Sequence, residues 1–216
     1  MTNSDSIARL QAEGWQVKAY TMSSSQTYLR GILFALPFVL LAGGMYRVFL
    51  LERAVLLDHT SLIFLGIIIV SLPVHEGLHG VGWKLAGRLE KGEISFFIRQ
   101  GMPMCTCKAV LDTRAYLTGT LFPFLILGGG SFLFLIAFPG TVSLLTALVN
   151  LVLPGADLAI AYKVLRSGAV RIADSPDQAG FIGAFYKGEQ QDGAVFKGYK
   201  ISNEHDIAAD RREKKL

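Results

Sequence analysis

His75, Glu76 and His79 stand in the pattern H-E-x-x-H. On a helix, residues i and i+4 share a face, so both imidazoles can reach one metal ion. The glutamate beside the first histidine can face a water activated by that ion and act as its base. The motif lies in an otherwise apolar run, Ser61 to about Gly87, which begins SLIFLGIIIVSLPV. Two imidazoles and a carboxylate are costly in such a run, and groups of this kind usually face a bundle interior or an aqueous cavity with a task to perform. The bland alternative is a polar interior in which these side chains only bond one another. Two histidines do not complete a catalytic zinc site, which has three protein ligands and a water. The remaining acidic group deep in an apolar run is Asp157. Counted from the ends of their runs, His75, His79 and Asp157 lie roughly 12–18 Å from one boundary at 1.5 Å per residue. The matching depth makes Asp157 the expected third ligand, with pairing to Arg47 or protonation as the alternative. Asn150, seven residues earlier on roughly the same face, is a candidate for a substrate or interhelical hydrogen bond. Pro154 and Gly155 are expected to loosen the helix just ahead of Asp157.

The chain that must position these groups has 216 residues, 51% hydrophobic and 18% charged, with a mean hydropathy of +0.42. Soluble domains carry about 25% charged residues. The apolar surplus excludes disorder for most of the length. It is gathered into four runs near the length of about 20 residues that a helix needs to cross a bilayer. They are Gly31 to about Leu51, Ser61 to about Gly87, Tyr116 to about Phe138, and Val142 to about Leu165. The expected fold is an all-α membrane protein of about four transmembrane helices, with a small cytoplasmic hairpin-like loop and a short cytoplasmic tail. Residues 1–30 form an N-terminal arm, 31–165 the membrane domain and 166–216 the tail. The arm (Arg9, Lys18, Arg30), the second loop (Arg88, Lys91, Arg99, Lys108, Arg114) and the tail carry the positive charge, against Arg47 and Arg53 on the other side. The positive-inside rule places both termini in the cytoplasm of a multi-pass cell-membrane protein. The polar first thirty residues argue against a secretory signal peptide.

The second loop holds two strand-like runs, EISFFIRQG and CTCKAVL, around Gly101 and Pro103, which suit a hairpin at the cytoplasmic mouth of the bundle. In the tail, AVRIADSPDQAGFIGAFY suits a short strand or a membrane-surface segment, and the terminal DIAADRREKKL a solvated helix near lipid. Cys105 and Cys107 suit inert thiols in a reducing compartment, with metal binding or a redox pair as the alternative. His59 and His205 lie outside the apolar runs and read as solvated.

HEGLH in an apolar span, followed by Asn150-Leu-Val-Leu-Pro154-Gly-Ala-Asp157-Leu158, resembles the site-2 protease class of intramembrane metalloproteases. It resembles more closely a bacterial family of small four-span proteins, a domain of unknown function described as putative zincin peptidases. The resemblance covers about Ser61 to Phe185, including the cysteine loop, the Tyr-to-Pro stretch that opens the third span and the AD-SPDQAGF segment. It implies one Zn2+ per chain on His75, His79 and Asp157, with Glu76 activating a water. The site-2 pattern differs in having Asn-x-x-Pro and Leu-Asp-Gly, where this chain has Pro154 four residues after Asn150 and Leu158 after Asp157. The expected function is a membrane-embedded zinc metalloprotease acting on peptide bonds within or beside a membrane span. The alternatives are a non-catalytic metal-binding membrane protein, serving as sensor or partner binder, and a small ion transporter. Expected partners are membrane lipid and a membrane-protein or peptide substrate, with no nucleic acid; self-association is left open. Histidine and carboxylate ligands suit other divalent ions besides zinc.

Overall fold

The computed structural model describes residues 3–53, 60–90, 92–99, 102–175 and 178–186. The expectations for His59, His205 and the basic C-terminal end lie outside the described residues. Four helical rods are long and apolar enough to cross a membrane: Ser24–Leu50, Ser61–Gly87, Thr113–Ala137 and Thr141–Ser167. A short helix α1 (Asn3–Ala12) and a strand β1 (Gln16–Met22) precede them. The first rod is α2 (Ser24–Met45) continued by a π-helical turn, Tyr46–Leu50. It starts at Ser24 rather than Gly31 because Ser23 and Gln26 form a reciprocal capping box, which satisfies two otherwise orphaned N–H groups. The second rod is α3 (Thr60–Gly87). The third joins α4 (Thr113–Pro123), a π-helical turn Phe124–Gly128, and α5 (Gly129–Ala137). The fourth is broken at Leu153-Pro154 into α6 (Thr141–Val152) and α7 (Gly155–Ser167), as expected where proline cannot continue the hydrogen-bond ladder. The outward faces are apolar: Leu29, Ile32, Leu33 and Leu40 of α2 and Leu62, Leu65 and Ile69 of α3 are exposed. A face of this kind is a liability in water and at home in hydrocarbon.

The all-α expectation is corrected by two antiparallel sheets. A hairpin joins β2 (Ile94–Arg99) to β3 (Met102–Cys107), with Phe97 opposite Met104 and Phe96 opposite Cys105. The second sheet also contains β4 (Val110–Asp112), β5 (Arg171–Asp174) and β6 (Ala179–Phe185), in the order β1-β6-β5-β4. Its register sets Gln16 opposite Phe185 and Leu111 opposite Ile172. Run CTCKAVL is therefore divided between sheets, its cysteines in β3 and Val110-Leu111 in β4. The segments before the first rod, between the second and third, and after the fourth meet in one sheet at one end of the bundle. Gly168, in the left-handed region at φ 69°, ends α7 and turns the chain into that sheet.

Burial follows this layout. Met22, Trp83, Leu111, Tyr116, Ile160, Val164, Ile172, Phe181 and Phe185 form one cluster between the sheet and the adjoining ends of α3, α4 and α7. Ala42, Tyr46, Leu50, Leu135, Ala147 and Leu151 form a second in the helices alone. On the fourth rod, Asp157 falls between Leu151 of the second cluster and Ile160 of the first.

Candidate metal centre

α3 and α4 approach closely enough to share backbone and ring contacts. A Cβ on Gly82 would sit 2.9 Å from Gly119 Cα, and one on Gly119 would overlap the Trp83 ring. That approach lets His79 Nδ1 meet the Gly119 carbonyl at 2.9 Å. A carbonyl only accepts, so Nδ1 is the donor and the neutral ring leaves its Nε2 lone pair bare. Trp83 completes the support: its ring stacks on His79 with centroids 5.3 Å apart, and its Nε1 donates to the Tyr116 carbonyl at 3.1 Å.

Asp157 arrives from the fourth rod. Pro154 ends α6, and Asp157 lies in the first turn of α7, where the unsatisfied N–H groups favour a carboxylate. Gly155 packs directly on Gly31 of α2; a Cβ there would run into the Gly31 carbonyl. The break and this crossing together aim Asp157 inward. Its Oδ2 lies 3.1 Å from His75 Nε2 and 3.4 Å from His79 Nε2, and the two Nε2 atoms are 3.2 Å apart. Both histidines are buried. The structure thus brings together His75, His79 and Asp157, which form a group whose donor atoms could hold a metal ion. Arg47, the alternative partner for Asp157, lies in the π-helical turn of the first rod.

The donor set fits zinc on chemistry and on spacing. Two imidazole nitrogens and a carboxylate oxygen are zinc ligands with bonds of about 2.0–2.2 Å, and a tetrahedron of that size has edges of about 3.3–3.6 Å. The three edges here run from 3.1 to 3.4 Å. The Nδ1–H bond of His79 to a carbonyl is the outer support that metal-ligating histidines ordinarily have. His75 Nδ1 is buried without a hydrogen-bond partner among the described residues.

Glu76 lies on the neighbouring face of α3. Its Oε2 accepts a 2.6 Å hydrogen bond from the Cys105 N–H of β3. The hairpin comes this close because Gly80, one turn beyond Glu76, has no side chain: a Cβ there would meet Phe96 at 2.7 Å. Asn150 is buried and its Oδ1 lacks a hydrogen-bond partner among the described residues, so that oxygen is not tied to the three-donor group. No disulfide links Cys105 and Cys107. Burial pushes the Cys105 thiol far up and Cys107 to about 12, so neither is a ready thiolate ligand.

Residues 68–170 match the family described as Putative zincin peptidase. The zincin match contains His75, Glu76, His79 and Asp157, and it supports a metallopeptidase and zinc as its metal. No curated protein and no solved structure matches the chain. The zincin segment stops short of β5 and β6 and omits β1 and α2.

Four features of the site carried no signal in the sequence pattern: the Gly119 carbonyl, the Trp83 stack, the Cys105 amide on Glu76, and the bonds made by Asp174. The first three are backbone or ring contacts set by helix crossing. Asp174 lies in the AD-SPDQAGF segment, where nothing in its spacing relates it to α3.

Proposed function

We propose that this chain is a membrane-embedded zinc peptidase that hydrolyses peptide bonds within or beside a membrane span, in the manner of site-2 proteases. The observation that carries the proposal is the triangle of His75, His79 and Asp157 donor atoms with Glu76 one residue along the same helix. Bound zinc would supply the Lewis acidity that polarises a scissile carbonyl and lowers the pKa of a water to about 7. His75, His79 and Asp157 hold it, with His79 kept in the right tautomer by Gly119. Glu76 takes the proton of the attacking water and returns it to the leaving amine. Its Oε2 is engaged by the Cys105 amide, which leaves Oε1 for that exchange. A substrate helix must open locally, since intact helical backbone hides its carbonyls.

Membrane placement is supported by the apolar outward faces of the four rods. Cytoplasmic termini are supported by the Lys/Arg bias and by the meeting of arm, second loop and tail in one sheet.

The test pairs metal content with cleavage. Detergent-purified wild type and Glu76→Gln are expected to retain about one zinc per chain, while His75→Ala and Asp157→Ala lose it. New protein termini in membranes expressing wild type should vanish with Glu76→Gln. Failure of wild type to take up zinc, or identical termini from wild type and Glu76→Gln, refutes the reading.

A further inference from the structure

Strand β3 is held at two successive points. At the first, the Cys105 N–H donates to Glu76. At the second, the next two residues bind a single carboxylate oxygen: Thr106 Oγ1 donates to Asp174 Oδ2 at 2.7 Å and Cys107 N–H to the same atom at 3.3 Å. The other oxygen, Asp174 Oδ1, accepts from the hydroxyl of Tyr116 at 3.1 Å. Tyr116 is fully buried in α4 and packs beside Trp83, which stacks on His79. One buried carboxylate at the end of β5 therefore joins the hairpin, the tail strand and the helix that supports His79. The hairpin has no ladder to the four-stranded sheet; β3 pairs only with β2 among the described strands. Its height over α3 is set by packing at Gly80, by Cys107, Cys105 and Ile94 in the cluster beneath the sheet, and by these side-chain bonds.

A buried carboxylate is costly unless its oxygens are used, and an apolar residue would fill the same core without that cost. The donors satisfied here are those of β3 itself and of the helix behind the metal group. We propose that Asp174 is a positioning residue, latching β3 at the height where the Cys105 amide orients the Glu76 carboxylate. Its catalytic consequence rests on the reading of Glu76 as the base. The latch itself does not.

Three variants of the full chain, purified in detergent and loaded with zinc, separate the possibilities. Thr106→Val removes one bond to β3 with little change of shape. Asp174→Ala removes all of them, and Tyr116→Phe removes the α4 bond, with its contact to the Gly180 carbonyl, and leaves both β3 bonds in place. The first readout is the rate at which a maleimide labels Cys105, a native reporter on β3. Thr106→Val and Asp174→Ala are expected to label at least about tenfold faster at unchanged zinc content, and Tyr116→Phe within about twofold of wild type. Equal rates in wild type, Thr106→Val and Asp174→Ala overturn the latch. Loss of zinc from Thr106→Val also overturns it, since the bond would then be general scaffolding. The second readout uses a substrate found by the terminus comparison: Thr106→Val is expected to lower kcat about tenfold with KM unchanged. An unchanged kcat overturns the positioning role. If wild type cleaves nothing, the peptidase reading falls, and labelling with zinc content still decides the latch.

Discussion

The tightest geometric constraint on the candidate metal centre is the crossing of α3 over α4, and Gly119→Ala probes it. A methyl on Gly119 would overlap Cδ1, Cγ and Nε1 of Trp83. The indole cannot swing aside: it is buried, stacked on His79, and bonded through Nε1 to the Tyr116 carbonyl. Restoring a normal carbon–carbon separation of about 3.5–4.0 Å requires the helices to part by about 1–2 Å. The His79 Nδ1 to Gly119 carbonyl distance, now 2.9 Å, then passes the useful limit of about 3.5 Å. Two costs follow. Overpacking a close interface costs about 1–3 kcal/mol, and losing the outer-shell partner of a ligating histidine lowers metal affinity about 10–100-fold. The assay is zinc affinity by chelator competition alongside thermal unfolding of the apo protein. Gly130→Ala, in the same rod, is the control, because a Cβ there meets nothing within 4 Å. It should match wild type in zinc affinity and gain up to about 1 kcal/mol from helix propensity. Wild-type zinc affinity in Gly119→Ala would refute the claim that this crossing holds His79 in its ligating state.

Three further outcomes are expected. Burial pushes the Asp174 carboxyl up to about 6, despite the bonds from Thr106, Cys107 and Tyr116 that pull it down. The unfolded value is about 3.9, so the folded state binds the extra proton between the two; this group's stabilisation is complete below about pH 4 and lost as pH rises through 6, on the order of 3 kcal/mol. Melting curves of wild type minus Asp174→Asn should therefore fall from pH 4 to 7 and flatten above; parallel curves would sink this assignment. Iodoacetamide at pH 8 should leave Cys105 and Cys107 largely unmodified until the protein is denatured, because burial raises both thiols far above that pH; rapid modification of the folded chain would contradict it. Gly155→Ala should weaken zinc binding about 10-fold or more by driving α7 off Gly31 of α2, two residues from Asp157; an unchanged affinity would show that the break at Pro154 alone aims the carboxylate.

The parts of this molecule that were legible in the sequence are those written in local pattern. Apolar runs of about 20 residues marked four rods with seven of their eight ends within three residues of those observed, and the i, i+4 spacing put His75 and His79 on one face. Depth counting set Asp157 level with His75 and His79, beside which it lies, because two rods that end at the same sheet carry their polar groups at similar distances from it. The expected start at Gly31 is late because the first thirty residues are polar and mixed in charge, whereas Ser23-x-x-Gln26 is the actual start signal. The four-stranded sheet was not legible. Its longest pairing, β1 with β6, sets Gln16 against Phe185 and Lys18 against Gly183, so no window of sequence contains both halves, and the tail read alone is near the limit for folding by itself.

The illegible parts are also where the chain gives up stability. Glu76 is bonded by a backbone amide of a hairpin that belongs to neither the bundle nor the main sheet, and that hairpin is held by the buried Asp174. Above pH 6 the carboxylate costs the fold free energy, yet the ionised form is the stronger acceptor for Thr106, Cys107 and Tyr116. A core selected for stability alone would place an apolar residue there. Retaining a costly acceptor behind β3 is what a fold does when the position of a neighbouring group matters more than the strength of the core. The group that β3 touches is Glu76.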